Sequence, residues 1–188
     1  MEPMESSAQA IDQNLQRQNA WRGDTRTLGK MKILIIDDET LNVALLEDML
    51  SEAGYKNLRS VTDSRLALGV CDTFVPDLIL LDLMMPHVDG LTILHSLRSA
   101  GSEVFLPVIV LTADVNEETK RAALGAGATD FLLKPLDHLE VLLRIANLLD
   151  MRRLHVQLDT QRAALEDALR ERSLELRAAH LHLETARV

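Results

Sequence analysis

Asp77-Leu78-Ile79-Leu80-Leu81-Asp82-Leu83-Met84-Met85-Pro86, residues 77–86, is the stretch that decides the fold. Its apolar residues run without a break up to a carboxylate. A strand with one wet face alternates apolar and polar residues; an unbroken run reads as a strand buried on both faces, as in a parallel sheet. The same pattern recurs on either side. Ile33-Leu34-Ile35-Ile36 runs into Asp37-Asp38, and Pro107-Val108-Ile109-Val110-Leu111 runs into Thr112. Thr129 to Leu133 runs into Lys134, and Leu58 to Val61 is a weaker strand.

Helical spacing fills the intervals. Thr40 can cap a helix in which Leu41, Ala44, Leu45, Asp48 and Met49 share one face, with Gly54 ending it. Residues 64–74, 90–100 and 115–124 read as further helices, the last closed by Gly125 and Gly127, and a final helix begins near Asp137. Strands alternating with helices imply parallel βαβ units with right-handed crossovers. The expected architecture is α/β: a doubly wound five-stranded parallel sheet in the flavodoxin-like order 2-1-3-4-5.

Composition is compatible with this. The 188 residues are 47% apolar, enough for one ordinary core and a smaller appendage. A net charge of −9 and an aromatic content of 3% argue against a nucleic-acid surface. No apolar run approaches the ~18 residues of a membrane span. Residues 1–30 are rich in Gln, Asn, Ser and Ala, with an isolated Trp21, and read as a poorly ordered extension rather than a signal peptide. The single cysteine, Cys71, cannot close an internal disulfide, which suits a reducing cytoplasm; its neighbours place it on the buried side of a helix.

Ligands of open parallel sheets bind beyond the C-terminal ends of the strands, where the strand order reverses. In the expected order Asp37, Asp38 and Asp82 converge there, flanked by the hydroxyl of Thr112 and the ammonium of Lys134. Clustered carboxylates repel one another unless a cation is present, and an all-oxygen set suits Mg²⁺. Lys134 and Thr112 are placed to neutralise and hydrogen-bond the oxygens of a phosphoryl group, with a carboxylate as its acceptor. Each piece has a plainer reading. Paired Asp after a strand is often a helix N-cap, and Lys-Pro is common in loops. It is their joint placement at four strand ends that carries chemistry.

The pieces Ile36-Asp37-Asp38-Glu39, Leu81-Asp82-Leu83-Met84-Met85-Pro86 through Asp89-Gly90, Leu111-Thr112-Ala113 and Gly127 through Pro135 together resemble two-component response regulator receiver domains over about residues 31–150. The resemblance implies that Asp82 accepts a phosphoryl group from a histidine kinase or phosphotransfer protein. It implies Mg²⁺ bound by Asp38, Asp82 and the backbone carbonyl of Met84, with Asp37 acting through water. It makes Thr112 and Phe131 a switch pair, Phe131 standing where many members carry Tyr, and it implies a cis Lys134-Pro135 peptide. A phosphatase of the aspartate-nucleophile class is rejected, because it wants a second Asp where Met84 stands. A pseudo-receiver is disfavoured because all the site residues are present. His87, five residues past Asp82, reads as a loop residue, since Mg²⁺ prefers oxygen.

Beyond residue 137 the sequence has neither Pro nor Gly. At seven-residue spacing, Leu148, His155, Arg162, Leu169, Leu176 and Leu183 form one set, and Met151, Leu158, Leu165, Arg172, Ala179 and Ala186 the other. The pattern fits a coiled-coil seam weakened at His155, Arg162 and Arg172. It predicts three regions: an extension over 1–30, a receiver over 31–150, and a homodimerising helix over 151–188. The alternative is a single solvated helix packed back on its own domain. The Leu/Glu/Arg/Ala character also resembles connectors in front of HD-GYP phosphodiesterases and GGDEF cyclases. The chain itself is expected to be a phosphorylated receiver that signals through a dimeric helix, and not an enzyme; on that resemblance, and because the helix reaches Val188 without a cap, the alternative is the regulatory input of a larger cyclic-di-GMP signalling enzyme.

Overall fold

A computed structural model describes residues 29–99, 105–114 and 116–185, with side chains to residue 177. Residues 1–28 of the extension expected over 1–30, and the seam positions Ala179, Leu183 and Ala186, lie outside the described residues or side chains. In chain order the elements are β1 (Lys32–Ile36), α1 (Thr40–Glu52), β2 (Asn57–Val61), a 3-10 turn (Ser64–Leu66) running into α2 (Ala67–Phe74), and β3 (Leu78–Asp82). They continue with α3 (Gly90–Ser99), β4 (Val108–Thr112), α4 (Glu117–Gly125), β5 (Asp130–Leu133) and α5 (His138–Thr185). The sheet is parallel throughout, in the order β2-β1-β3-β4-β5. This is the doubly wound architecture expected from the strand pattern.

The unbroken apolar runs are explained by helices on both faces. Ile33, Ile35, Leu78, Leu80, Ile109 and Leu111 pack against α1 and the first turns of α5, through Val43, Leu46, Leu50, Val141, Ile145 and Leu149. The alternate residues Leu34, Ile36, Ile79, Leu81, Val108 and Val110 pack against α2, α3 and α4, through Cys71, Ile93, Leu94 and Ala123. Every residue of β3 and β4 is buried. Full burial of one such aliphatic side chain is worth roughly 1.5–3 kcal/mol. Cys71 lies in this core as expected, its thiol pushed up to about 11, by burial first and by Asp72 second.

Two local expectations are corrected. Thr40 is not the cap of α1. Glu39 holds the N-cap position without a side-chain cap hydrogen bond, and the carboxylate of Asp37 accepts from Glu39 N instead, at 2.9 Å. Nor do Leu41 and Leu45 form its buried face: they are 83% and 47% exposed, and Val43, Leu46, Met49 and Leu50 face the sheet. The helix is apolar almost all round, so spacing alone offered two stripes. Gly54, with φ +99, ends this helix as expected.

Register sets the functional end of the sheet. Ile36 pairs with Leu81, so the next residues along the two strands, Asp37 and Asp82, are neighbours. Asp82 pairs with Leu111 and Thr112 with Leu133, which brings Lys134 to the same edge. The chain divides into two compact units, Met1–Arg152 and Arg153–Val188, the division falling within α5. The last residue of the first unit, Arg152, donates to Phe105 O at 2.6 Å and lies 3.8 Å from Asp77 Oδ1.

Candidate functional site

The C-terminal ends of β1, β3 and β5 enclose a cleft of about 230 Å³ lined by Asp37, Asp38, Glu39, Asp82, Met84, Ala113 and Lys134. Asp37 and Asp82 are buried. Lys134 Nζ reaches between them, donating to Asp82 Oδ1 at 2.6 Å and to Asp37 Oδ2 at 2.9 Å. The second oxygen of Asp82 accepts from Met84 N at 2.9 Å. Burial pushes the Asp82 carboxyl above its ordinary range; Lys134 and the Met84 N–H oppose that, Asp37 adds to it, and the net direction is up. Burial pulls the Lys134 ammonium down, but its bonds to Asp82 and Asp37 outweigh this and hold it protonated above its ordinary value.

Asp38 differs from its neighbour. It is half-buried, lines the cleft, and makes no hydrogen bond or ion pair among the described residues. Its oxygens are therefore available to a ligand. Asp37 is committed: besides Lys134 it accepts from Glu39 N and from Asn42 Nδ2, at 3.3 and 3.1 Å. The donors facing the cleft are all oxygen, which fits a small hard cation in chemical type. Among the described residues, however, no three His, Cys, Asp or Glu side chains are drawn tightly enough together to form a ready metal cage. The site fits an ion held by few protein ligands, with the rest of its shell from water or substrate, which is the habit of Mg²⁺.

Thr112 and Phe131 are set back from the cleft. Thr112 is buried, and its hydroxyl oxygen accepts from Asp114 N at 3.0 Å. Phe131 is half-buried on β5, with Lys120 Nζ 5.0 Å from its ring centroid. The Lys134-Pro135 peptide is cis. His87 is exposed, with φ +71, and does not line the cleft.

Three supporting residues escaped sequence reasoning in these roles. Asn42, one turn into α1, bridges Asp37 and Glu39. Ser64 is buried, donates to Pro86 O at 2.6 Å and accepts from Val88 N at 3.1 Å, pinning the loop after Asp82. Gly90 opens α3 directly against β3: a Cβ there would run into the Asp82 carbonyl and lie 2.9 Å from Leu83 Cα. The Asp-Gly pair marks Gly90 in the sequence. Nothing local marks the other two, because their partners lie in other elements or at side-chain reach.

Comparison with known proteins agrees with this geometry. The family model for the response regulator receiver domain matches residues 33–146. Response regulator PleD of Caulobacter vibrioides is 37% identical over 117 residues, which are 62% of this chain and 26% of PleD. The alkaline phosphatase synthesis transcriptional regulatory protein PhoP of Bacillus subtilis is 37% identical over 118 residues, 63% of this chain and 48% of that one. The chain thus spans half or less of these relatives. Among solved structures, the Francisella response regulator 1452 receiver domain superposes with a TM-score of 0.61 at 30% identity, covering 65% of this chain and 98% of that one. Chemotaxis protein CheY4 of Vibrio cholerae gives 0.59 at 27% identity, covering 63% and 98%. With its strand order, its acidic cleft and a family model spanning most of the chain, this protein belongs to the response regulator receiver domain family.

Proposed function

We propose that Asp82 is the phosphoacceptor of this receiver and takes its phosphoryl group from a histidine kinase or phosphotransfer protein. The observation that carries the reading is the setting of the Asp82 carboxylate, which opens on the acidic cleft with one oxygen on Lys134 and the other on Met84 N. A carboxylate oxygen attacks phosphorus, the P–N bond of the donor phosphohistidine breaks, and the imidazole nitrogen keeps the electron pair and takes a proton. Lys134 already touches the nucleophile, so its ammonium is placed to neutralise phosphoryl oxygens as they arrive. Asp38, Asp82 and the Met84 carbonyl would hold Mg²⁺, with Asp37 acting through water; when bound, the ion supplies further positive charge to the phosphoryl oxygens. Phosphoramidate, a small P–N donor, should label the protein with Mg²⁺ and fail to do so with excess EDTA. Equal labelling under both conditions contradicts the metal requirement. Calorimetric titration should find Mg²⁺ affinity several-fold weaker in Asp38→Ala.

Output is proposed to follow from two further features. Thr112 moves toward the phosphoryl oxygens and Phe131 fills the space it leaves, so hydrogen exchange should change most at residues 112–134. Residues 151–188 form a homodimeric coiled coil that passes the signal on. What supports it is the row of leucines on α5: Leu158, Leu165, Leu169 and Leu176 are each 62–63% exposed in the single chain. A second reading, which rests on the Leu/Glu/Arg/Ala character that α5 shares with connectors of such proteins, is that the chain is the regulatory input of a cyclic-di-GMP signalling enzyme of the HD-GYP or GGDEF type. The protein is expected to act in the cytoplasm without contacting nucleic acid or membrane; no helix among the described residues is long and apolar enough to cross a membrane.

A further inference from the structure

We infer that Asp114, Thr119 and Lys120 form a latch that holds Thr112 and Phe131 in the resting arrangement. The inference rests on reading those two residues as the switch pair. Thr112 is not free to move: its hydroxyl oxygen accepts from Asp114 N at 3.0 Å. Asp114 is held in turn, accepting from Thr119 Oγ1 at 2.7 Å and from Asn116 N at 2.8 Å. Thr119 lies in the first turn of α4, and the next residue, Lys120, places its ammonium over the Phe131 ring at 5.0 Å. One helical turn therefore grips both members of the pair.

The Lys120 contact is unlike an ordinary surface lysine. Its side chain is only 18% exposed, and its nearest carboxylate, Glu117 Oε1, is 3.9 Å away on a side chain that is 76% exposed. A lysine normally extends its ammonium into water. Here the cation lies against an aromatic face, which is attractive through the ring quadrupole. Phe131 lacks a phenolic hydroxyl, so the ring offers its face rather than a hydrogen bond. If phosphorylation draws Thr112 toward Asp82, the Asp114 N bond must break, and reorientation of the ring must release Lys120. Both steps bias the equilibrium toward rest.

The test uses the full chain labelled with 4-fluorophenylalanine, the Phe131 line being assigned by its loss in Phe131→Leu. Wild type, Lys120→Met, Lys120→Arg and Thr119→Val are recorded by fluorine NMR before and after treatment with acetyl phosphate and Mg²⁺. Methionine keeps the stem and removes the charge; arginine keeps the cation. The Phe131 line should move on phosphorylation in wild type. In unphosphorylated Lys120→Met and Thr119→Val it should already be displaced in that direction. A contact of this class shifts a two-state equilibrium by about two- to ten-fold, so phosphorylation by acetyl phosphate should accelerate by about that factor. Lys120→Arg should resemble wild type. If Lys120→Met and Thr119→Val keep the wild-type resonance and rate while wild type still responds to phosphate, the latch is wrong and the switch pair stands. If the wild-type line does not move, both fall.

Discussion

Leucine fills β3 and leucine lines the far part of α5, yet the two sets meet opposite surroundings. Leu78, Leu80 and Leu81 are 0% exposed, whereas Leu158, Leu165, Leu169 and Leu176 are each exposed by more than three fifths. The strand obtains its burial from its own chain, because helices cover both faces of the sheet. The helix beyond Arg152 satisfies its backbone internally, while these leucines stay exposed. Ion pairs such as Arg162–Glu166 at 2.8 Å and Arg172–Glu175 at 2.7 Å contribute about 0.2–0.5 kcal/mol each. Isolated helices are marginal in water, and most helical stability in proteins comes from packing of an apolar face. The contrast teaches that one unit obtains its burial from its own chain, while the other leaves a row of leucines exposed, the row on which the proposed dimer rests.

The sharpest way to break that contrast is to shorten a leucine in each unit. Leu80→Ala should lower unfolding free energy by about 2–5 kcal/mol, read by denaturant titration. Leu165→Ala, at a concentration where the chain is monomeric, should change it by less than about 0.5 kcal/mol. Its effect belongs to association: light scattering should find residues 31–188 larger than a chain ending at Asp150, and Leu165→Ala should weaken that assembly. Two monomers at tens of micromolar would make the helix a solvated arm; two equal dimers would move the contact to the receiver unit.

Within the receiver unit, Gly90→Ala tests whether the acidic cleft depends on close backbone packing. A Cβ has no room against the Asp82 carbonyl, so α3 or the end of β3 must shift. The expected loss is about 1–3 kcal/mol of stability, with slower phosphorylation of Asp82. Wild-type stability and rate together would mean that the neighbouring loop yields easily.

Much of this arrangement was legible in the sequence, and what was not has a physical reason. The runs Ile33–Ile36, Leu78–Leu81 and Val108–Leu111 admit a strand buried on two faces, and strand alternation with helices left few topologies. The carboxylates were found because they follow those runs directly. The buried face of α1 was misjudged because Leu41, Val43, Leu45, Leu46 and Leu50 supply apolar residues all round one helix. The cap was misassigned to Thr40 because Asp37 reaches forward to Glu39 N, a choice made by the backbone turn. Ser64 and Lys120 act across elements, on Pro86 and Phe131, and spacing along the chain carries no sign of such partners.

A smaller effect separates the buried carboxylate from the exposed charges of α5. Asp82 has its folded-state pKa raised, first by burial. The folded protein then binds the proton more tightly than the unfolded chain, so this group's contribution is present below the ordinary carboxylate pKa, about 3.9, and is lost as pH rises through the folded value. Thermal unfolding of wild type relative to Asp82→Asn should therefore show wild type losing ground as pH rises through that window and levelling off above it. Asn is the fitting reference because it keeps hydrogen-bonding atoms for Met84 N, and Lys134 relinquishes only one of two carboxylates. A difference that grows in the opposite direction contradicts the raised pKa.

The central claim is that Asp82 receives the phosphoryl group. Intact-mass measurement after incubation with acetyl phosphate and Mg²⁺ tests it directly, on wild type and on Asp82→Asn. The account predicts one added phosphoryl group on wild type, lost on mild alkaline treatment as an acyl phosphate should be, and none on Asp82→Asn. The same mass gain on both proteins would contradict it.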